Sequence, residues 1–223
     1  MRSQSAAFAF EGAPTRETSR AFLEQALRNR SADAANLIVT VPAPVAPPDA
    51  LLRAFPGEAS ILWDPPKSAA CSGLGVATTL PPSTHSIGGF FDDTDLVADA
   101  ASPAPRVFGG ASFAPGAARS TPWESFGDGF LLLPTWTYHV DERAWLSLAV
   151  CGSDGPDIES LLDAFDTLWG SLDRPIGVIP SPVSARRIAE ADRETWSRQV
   201  GDIRERIIEG DFDKIVAARH CVC

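Results

Sequence analysis

The sequence predicts an α+β fold: a mostly antiparallel sheet with helices on its outside. Three observations predict it. Short β-branched and apolar runs are concentrated in the first 150 residues. Helical periodicity is confined to a few segments, with two of the clearest after residue 155. Strands and helices are grouped rather than strictly alternating, which disfavours a doubly wound parallel sheet.

Residues 16–30 read as an amphipathic helix, with Phe22, Leu23, Ala26 and Leu27 on one side. Residues 36–41 (NLIVTV) form a strand, halted by the prolines at 42, 44, 47 and 48. Residues 60–63 give a second strand, ended by Pro65-Pro66, residues 75–80 a third, and residues 88–91 a fourth carrying a Gly-Gly pair. The acidic, Ala/Pro-rich stretch 91–106 reads as a loop. Strands follow at 106–113, 129–140 and 143–150. The last two are joined by a tight turn at Asp141-Glu142, and Pro134 marks an edge or bulge in the first of them.

Residues 157–170 then form a helix with Ile158, Leu161, Leu162, Phe165 and Leu168 inward, and Gly170 in the C-cap position. Residues 175–182 (PIGVIPSP) read as an extended linker. Residues 189–209 form the clearest helix, with Trp196, Val200, Ile203 and Ile207 on one stripe and Gly210 at its end. A strand begins at Lys214. The expected division is an α+β region over 1–180 and the start of a second region over 181–223.

Composition narrows the function. Hydrophobic residues make up 44% of the chain and no apolar run approaches the roughly 20 residues a membrane span needs. The first ten residues lack the apolar core of a secretory signal, so the expected location is the cytoplasm. A net charge of −10 repels phosphate backbones and anionic lipid, which argues against nucleic acid and membrane as partners. Cys71, Cys151, Cys221 and Cys223 lack the spacing of a zinc or redox motif, and free thiols are expected.

Several residues invite a functional reading that their context does not support. Gly73-Leu-Gly75 lacks the rest of a dinucleotide fingerprint. Gly109-Gly110 precedes Ser112 without the glycines of a nucleophile elbow, and close backbone packing in a sheet accounts for it. His85 and His139 stand alone, without ligand spacing. Trp63, Trp123, Trp136 and Trp145 read as core aromatics.

Lys214 is different. The chain has seventeen arginines and two lysines, Lys67 and Lys214. Lysine can lose its proton where arginine in practice cannot, and burial in the apolar run after Lys214 would favour that loss. An ordinary exposed cation fits the spacing as well.

Residues 196–219 read WSRQVGDIRERIIEGDFDKIVAAR. This segment resembles one shared by the chorismate-utilising enzymes: a helix from an aromatic residue, a Gly-Asp turn, and a strand of the form Lys-Val-Val-Leu-Ala-Arg. Upstream, Phe108-Gly-Gly-Ala-Ser-Phe113, Trp123 and Gly129-Phe-Leu-Leu-Leu-Pro134 resemble segments of the isochorismate synthases in that family, as do Trp63 and Gly73-Leu-Gly75 more loosely.

The resemblance implies the N-terminal half of the chorismate-utilising fold. It implies an isomerase of the menaquinone type that converts chorismate to isochorismate, by adding water at C2 with loss of the C4 hydroxyl; a siderophore pathway fits the same residues. It assigns Lys214 as the base that activates water, the residue that separates the water-adding branch from amine-adding relatives with glutamine there. It implies Mg2+ on the substrate carboxylates. The metal ligands and the acid that assists departure of the C4 hydroxyl would lie in a C-terminal half. No metal or cofactor ligand is therefore expected within these residues. The chain is expected to be truncated and inactive alone, with chorismate and possibly a separately encoded C-terminal half as partners. The rival readings are a salicylate synthase fragment, which shares the lysine, and a non-catalytic module that needs a second chain.

Overall fold

The computed structural model describes residues 6–8, 14–31, 34–82, 84–112, 116, 124, 127–152, 157–174 and 193–211. The chain divides into two units, Met1–Gly177 and Val178–Cys223. The first is α+β with a mainly antiparallel sheet, the fold class the sequence predicts. Its elements are β1 (Ala6–Phe8), α1 (Arg16–Arg28), β2 (Asn36–Ala43), α2 (Ala50–Ala54), β3 (Ser60–Trp63), β4 (Ala70–Leu74), β5 (Thr78–Leu80), α3 (Thr84–Asp92), β6 (Thr94–Asp99), β7 (Phe108–Ala111), β8 (Gly129–Leu133), β9 (Trp136–Val140), β10 (Ala144–Cys151) and α4 (Ile158–Asp173). In the second unit the described element is α5 (Arg193–Ile208).

Seven strands form one sheet in the order β1-β6-β2-β10-β9-β4-β3. The pairings β1–β6 and β6–β2 are parallel and the other four antiparallel. A smaller antiparallel sheet has the order β5-β8-β7. One face of the large sheet is covered by helices. Leu37, Val39 and Val41 of β2, Leu146, Leu148 and Val150 of β10, and Trp136 and Tyr138 of β9 are buried there.

Helix α1 starts where the Thr15 hydroxyl accepts from the Thr18 N–H, and it buries Leu23, Ala26 and Leu27. Its Ser19 hydroxyl donates to the Pro42 carbonyl at 3.0 Å, which ties it to β2. Helix α4 is capped by Asp157 and buries Leu161, Leu162, Phe165, Leu168, Trp169 and Leu172. Arg20 of α1 meets Asp166 of α4 at 3.1 Å, and Arg28 approaches Glu159 at 3.9 Å. As α1 runs forward its partners run backward, so the two helices are antiparallel. The Tyr138 hydroxyl reaches past the sheet, accepting from the Ala46 N–H at 2.8 Å and donating to the Pro44 carbonyl at 2.9 Å.

The structure corrects several expected elements. The third strand was placed at 75–80, but Gly75 has φ +70 and forms the turn between β4 and β5. Residues 88–91 belong to helix α3 rather than a strand. Ile87, Phe90 and Phe91 have the i, i+3, i+4 spacing of a helical face, and Thr94 closes the end by donating to the Phe90 carbonyl at 2.6 Å. The acidic stretch 91–106 contains strand β6, held between β1 and β2 by two parallel pairings.

The long strand 129–140 is two strands in two sheets, broken at Pro134-Thr135. Gly73 lies under Pro134: a Cβ at Gly73 would run into the proline ring and sit 2.9 Å from Ile61 Cγ2. Gly109 passes so close to the Phe130 carbonyl that a Cβ has no room there either. Gly170 lies inside α4, which continues to Asp173. Trp63 is 55% exposed and is no core residue, whereas Trp136 and Trp145 are buried. Trp123, the 175–182 segment and the strand from Lys214 lie outside the described residues.

Candidate functional site

Lys214, the residue singled out as a base, lies outside the described residues, as do Cys221 and Cys223. What the described residues bring together is a polar patch on the face of the large sheet turned away from α1 and α4. Strand alternation puts every second residue there. Directly opposed residues of neighbouring strands share a face, so Trp63 of β3, Cys71 of β4, His139 of β9 and Trp145 of β10 form one cross-strand row. The next row carries Thr137, Ser147 and Thr40, in which the Thr40 and Ser147 hydroxyls bond at 2.8 Å.

Burial shapes the chemistry of this face. His139 is 2% exposed, and among the described residues neither ring nitrogen has a hydrogen-bond partner. Burial, helped by the charge of Arg106, pushes its pKa down to about 4, so the imidazole is neutral at pH 7. Cys71 is fully buried; burial raises its thiol pKa, and Arg106, with Nη1 3.9 Å from the sulfur, pulls the other way. Arg143 stacks on Trp145, its guanidinium carbon 4.9 Å from the ring centre. In the sequence His139 stands alone. Its relation to Cys71 and Arg106 depends on strand register, and no local motif carries that.

Cavities among the described residues lie elsewhere. One of about 550 Å³ is bounded by Thr15, Arg16, Pro44, Trp169, Asp173 and Arg174. Another of about 380 Å³ lies by Phe55, Glu58, Thr135, Trp136, Thr167 and Leu168. Among the described residues no three Asp, Glu, His or Cys side chains stand close enough to hold a metal ion. Cys71 and Cys151 are free thiols. No helix among the described residues is long and apolar enough to cross a membrane.

Comparison with known proteins adds a family. Residues 21–223 match the family described as chorismate binding enzyme. The isochorismate synthase MenF of Bacillus subtilis (strain 168) is 26% identical over 116 residues, 52% of this chain and 25% of that protein. The solved structure of MenF, the menaquinone-specific isochorismate synthase from Escherichia coli, aligns with 87% of this chain and 43% of its own, at 17% identity and a TM-score of 0.45. The chain thus spans a quarter of the length of the first and less than half of the second.

Proposed function

Because this chain belongs to the chorismate-binding enzyme family, we propose that it supplies the water-activating part of an isochorismate synthase, with Lys214 as the base. The observation that carries the reading is Lys214 itself. It opens the run Lys-Ile-Val-Ala-Ala inside the matched region, in a chain that otherwise uses arginine for positive charge. The curated relative of Bacillus subtilis is named for the same activity.

The reaction adds water at C2 of chorismate and expels the C4 hydroxyl. A neutral Lys214 amine takes a proton from water as its oxygen bonds to C2. Both double bonds of the ring diene shift, from C1=C2 to C1=C6 and from C5=C6 to C4=C5, and the C4 oxygen leaves as water after taking a proton from an acid. One water is gained and one lost, so the product is an isomer. Only lysine's neutral form has the lone pair this needs.

The described residues do not fit a Mg2+ site. The ion expected on the substrate carboxylates therefore needs ligands from other parts of the protein. The acid and those ligands belong in this reading to a C-terminal half, on a longer or a second polypeptide. We place the reaction in the cytoplasm and the product in menaquinone synthesis, in keeping with free Cys71 and Cys151 and with the MenF relatives.

Two measurements test the reading. The 223-residue chain with Mg2+ should convert no chorismate, since groups that act as a unit lose nearly everything when separated. Turnover within the usual enzymatic range of roughly 1–10³ s⁻¹ would overturn the need for a second half. In protein joined to a C-terminal half, Lys214→Ala should lower isochorismate formation roughly 10²–10⁴-fold while chorismate still binds. Lys214→Arg should fail almost as badly, because arginine keeps its proton. Near-normal product from Lys214→Arg, read by chromatography, would make Lys214 an ordinary cation. Salicylate as the product would move the protein to the neighbouring branch.

A further inference from the structure

Strand β3 is an edge of the seven-stranded sheet, and its outer side carries no strand among the described residues. Its inner side pairs with β4, and the Gly75 N–H donates to the Ala59 carbonyl at 2.8 Å in the same register. Inward and outward backbone groups alternate along an antiparallel strand. Ala59, Ile61 and Trp63 therefore bond towards β4. The N–H and C=O groups of Ser60 and Leu62 point outward, unpaired among the described residues.

The side chains of this edge are apolar on both faces. Leu62 lies in the cross-strand row of Ser72 and Tyr138, on the helix-covered face, and is 41% exposed. Trp63 lies on the opposite face and is 55% exposed. No residue of Ser60–Trp63 is charged, so the edge lacks the lysine or inward charge that keeps sheet edges apart. Pro65 and Pro66 limit its length.

We propose that β3 of a second copy of this chain covers the edge, antiparallel about a twofold axis at Leu62. A twofold pairing must match outward backbone groups with outward ones, and two registers near the middle of β3 do so. One sets Ser60 against Leu62 of the other copy and brings Glu58 against Asp64, acid on acid. The other sets Leu62 against Leu62, Ile61 against Trp63 and Ser60 against Asp64, where a hydroxyl donates to a carboxylate. Glu58 then meets Pro66, and no acid opposes an acid. Ile61 and Trp63 make an aromatic–β-branched pair of the kind that favours strand pairing, once on each side of the axis. Opposed residues share a face, so the helices of both copies lie on one side of the joined sheet.

The interface is small. Four residues a side fall well short of the about 800 Å² per partner of a standard interface. Two chains of net charge −10 also repel one another. The dimer is therefore weak, and it strengthens as salt screens the repulsion. It rests on the first unit alone and stands or falls independently of Lys214.

The test is sedimentation velocity of the whole 223-residue chain, from about 5 to about 500 µM, in low and in moderate salt. The unaltered chain should pass from monomer to dimer with a dissociation constant of roughly 10–200 µM, lower in the higher salt. Leu62→Lys and Leu62→Glu, each checked for folding by circular dichroism, should weaken the dimer roughly tenfold or more, because like charges then meet on the axis. An equimolar mixture of the two should dimerise at least as well as the unaltered chain, since lysine meets glutamate. A monomer at every concentration would overturn the proposal, as would association that a folded Leu62→Lys chain keeps in full. A mixture of folded variants that stays monomeric would remove the twofold at Leu62. The concentration series uses the unaltered chain, so a misfolded variant does not spoil it.

Discussion

On the helix-covered face of the seven-stranded sheet, the inward side chains of β2, β9 and β10 are apolar but for Tyr138, and its hydroxyl is bonded to the backbone at Pro44 and Ala46. On the opposite face Ile38 and Ala149 share the space with Thr40, Thr137, Ser147, Cys71 and His139, each no more than 6% exposed. The two faces are equally dry and chemically unlike. The first gains stability from nearly every residue. The second takes polar groups out of water and repays some of them, as at Thr40–Ser147, but not His139. Depth of burial therefore does not tell the stabilising core from the face available for chemistry. Polar content along β2, β9 and β10 does; hydrogen-bond satisfaction does not, since the Ser72 hydroxyl opposite Tyr138 on the helix-covered face is as buried and unpaired among the described residues as His139.

The largest expected effect is on the helix-covered face. Phe165 is fully buried in α4, between Trp136 at 6.4 Å and Trp169 at 5.6 Å. Phe165→Ala should cost about 3–5 kcal/mol in urea unfolding. A loss below about 1 kcal/mol would remove the claim that this face carries the stability.

The next effect is on the polar face and depends on pH. The His139 pKa is about 4 in the folded chain, against an ordinary value of 6.5. Between those values the unfolded chain takes up a proton that the folded chain refuses. Stability should fall as pH drops from about 6.5 to about 4, with no contribution from this group above that window. The full loss is on the order of 3 kcal/mol. Carboxylates titrate nearby, so the measurement is the difference in slope between the unaltered chain and His139→Phe. Identical slopes would mean that His139 is solvated after all.

The smallest effect sharpens the contrast within the polar face. Ser147→Ala strands the buried Thr40 hydroxyl and should cost about 1–3 kcal/mol. Adding Thr40→Val removes the stranded group, and the double variant should come within about 1 kcal/mol of the parent. A double variant as unstable as the single would show that the pair is held by something other than its mutual hydrogen bond.

How far the sequence could be read follows the range of each signal. Helices α1 and α4 were legible because their apolar stripes repeat over three turns or more, and β3 because prolines punctuate it. Helix α3 was not: its face is only Ile87, Phe90 and Phe91, and Gly-Gly-Phe-Phe at 88–91 reads as a short strand when neighbours are unknown. Strand β4, Ala-Cys-Ser-Gly-Leu, has small residues with little strand preference and owes its place to β3 and β9 on either side. Pro134 was correctly suspected of breaking a strand, but that the break changes sheets is a tertiary fact. Lys214 came from a local motif. The Arg106–Cys71–His139 cluster joins three distant segments by register, so no stretch of sequence could announce it.

The central pairing of β2 with β10 has a cost in time. Thr40 and Ser147 are 107 positions apart. A ribosome adding roughly 5–20 residues per second needs roughly 5–20 seconds to pass from one to the other. Throughout that interval Leu37, Val39 and Val41 have been made and their antiparallel partner has not. Pairing across such a separation also closes a long loop before any contact rewards it, which slows folding. The emerging chain therefore presents a sticky, half-paired strand for seconds during every round of synthesis, and this is the stage at which it would draw on a chaperone.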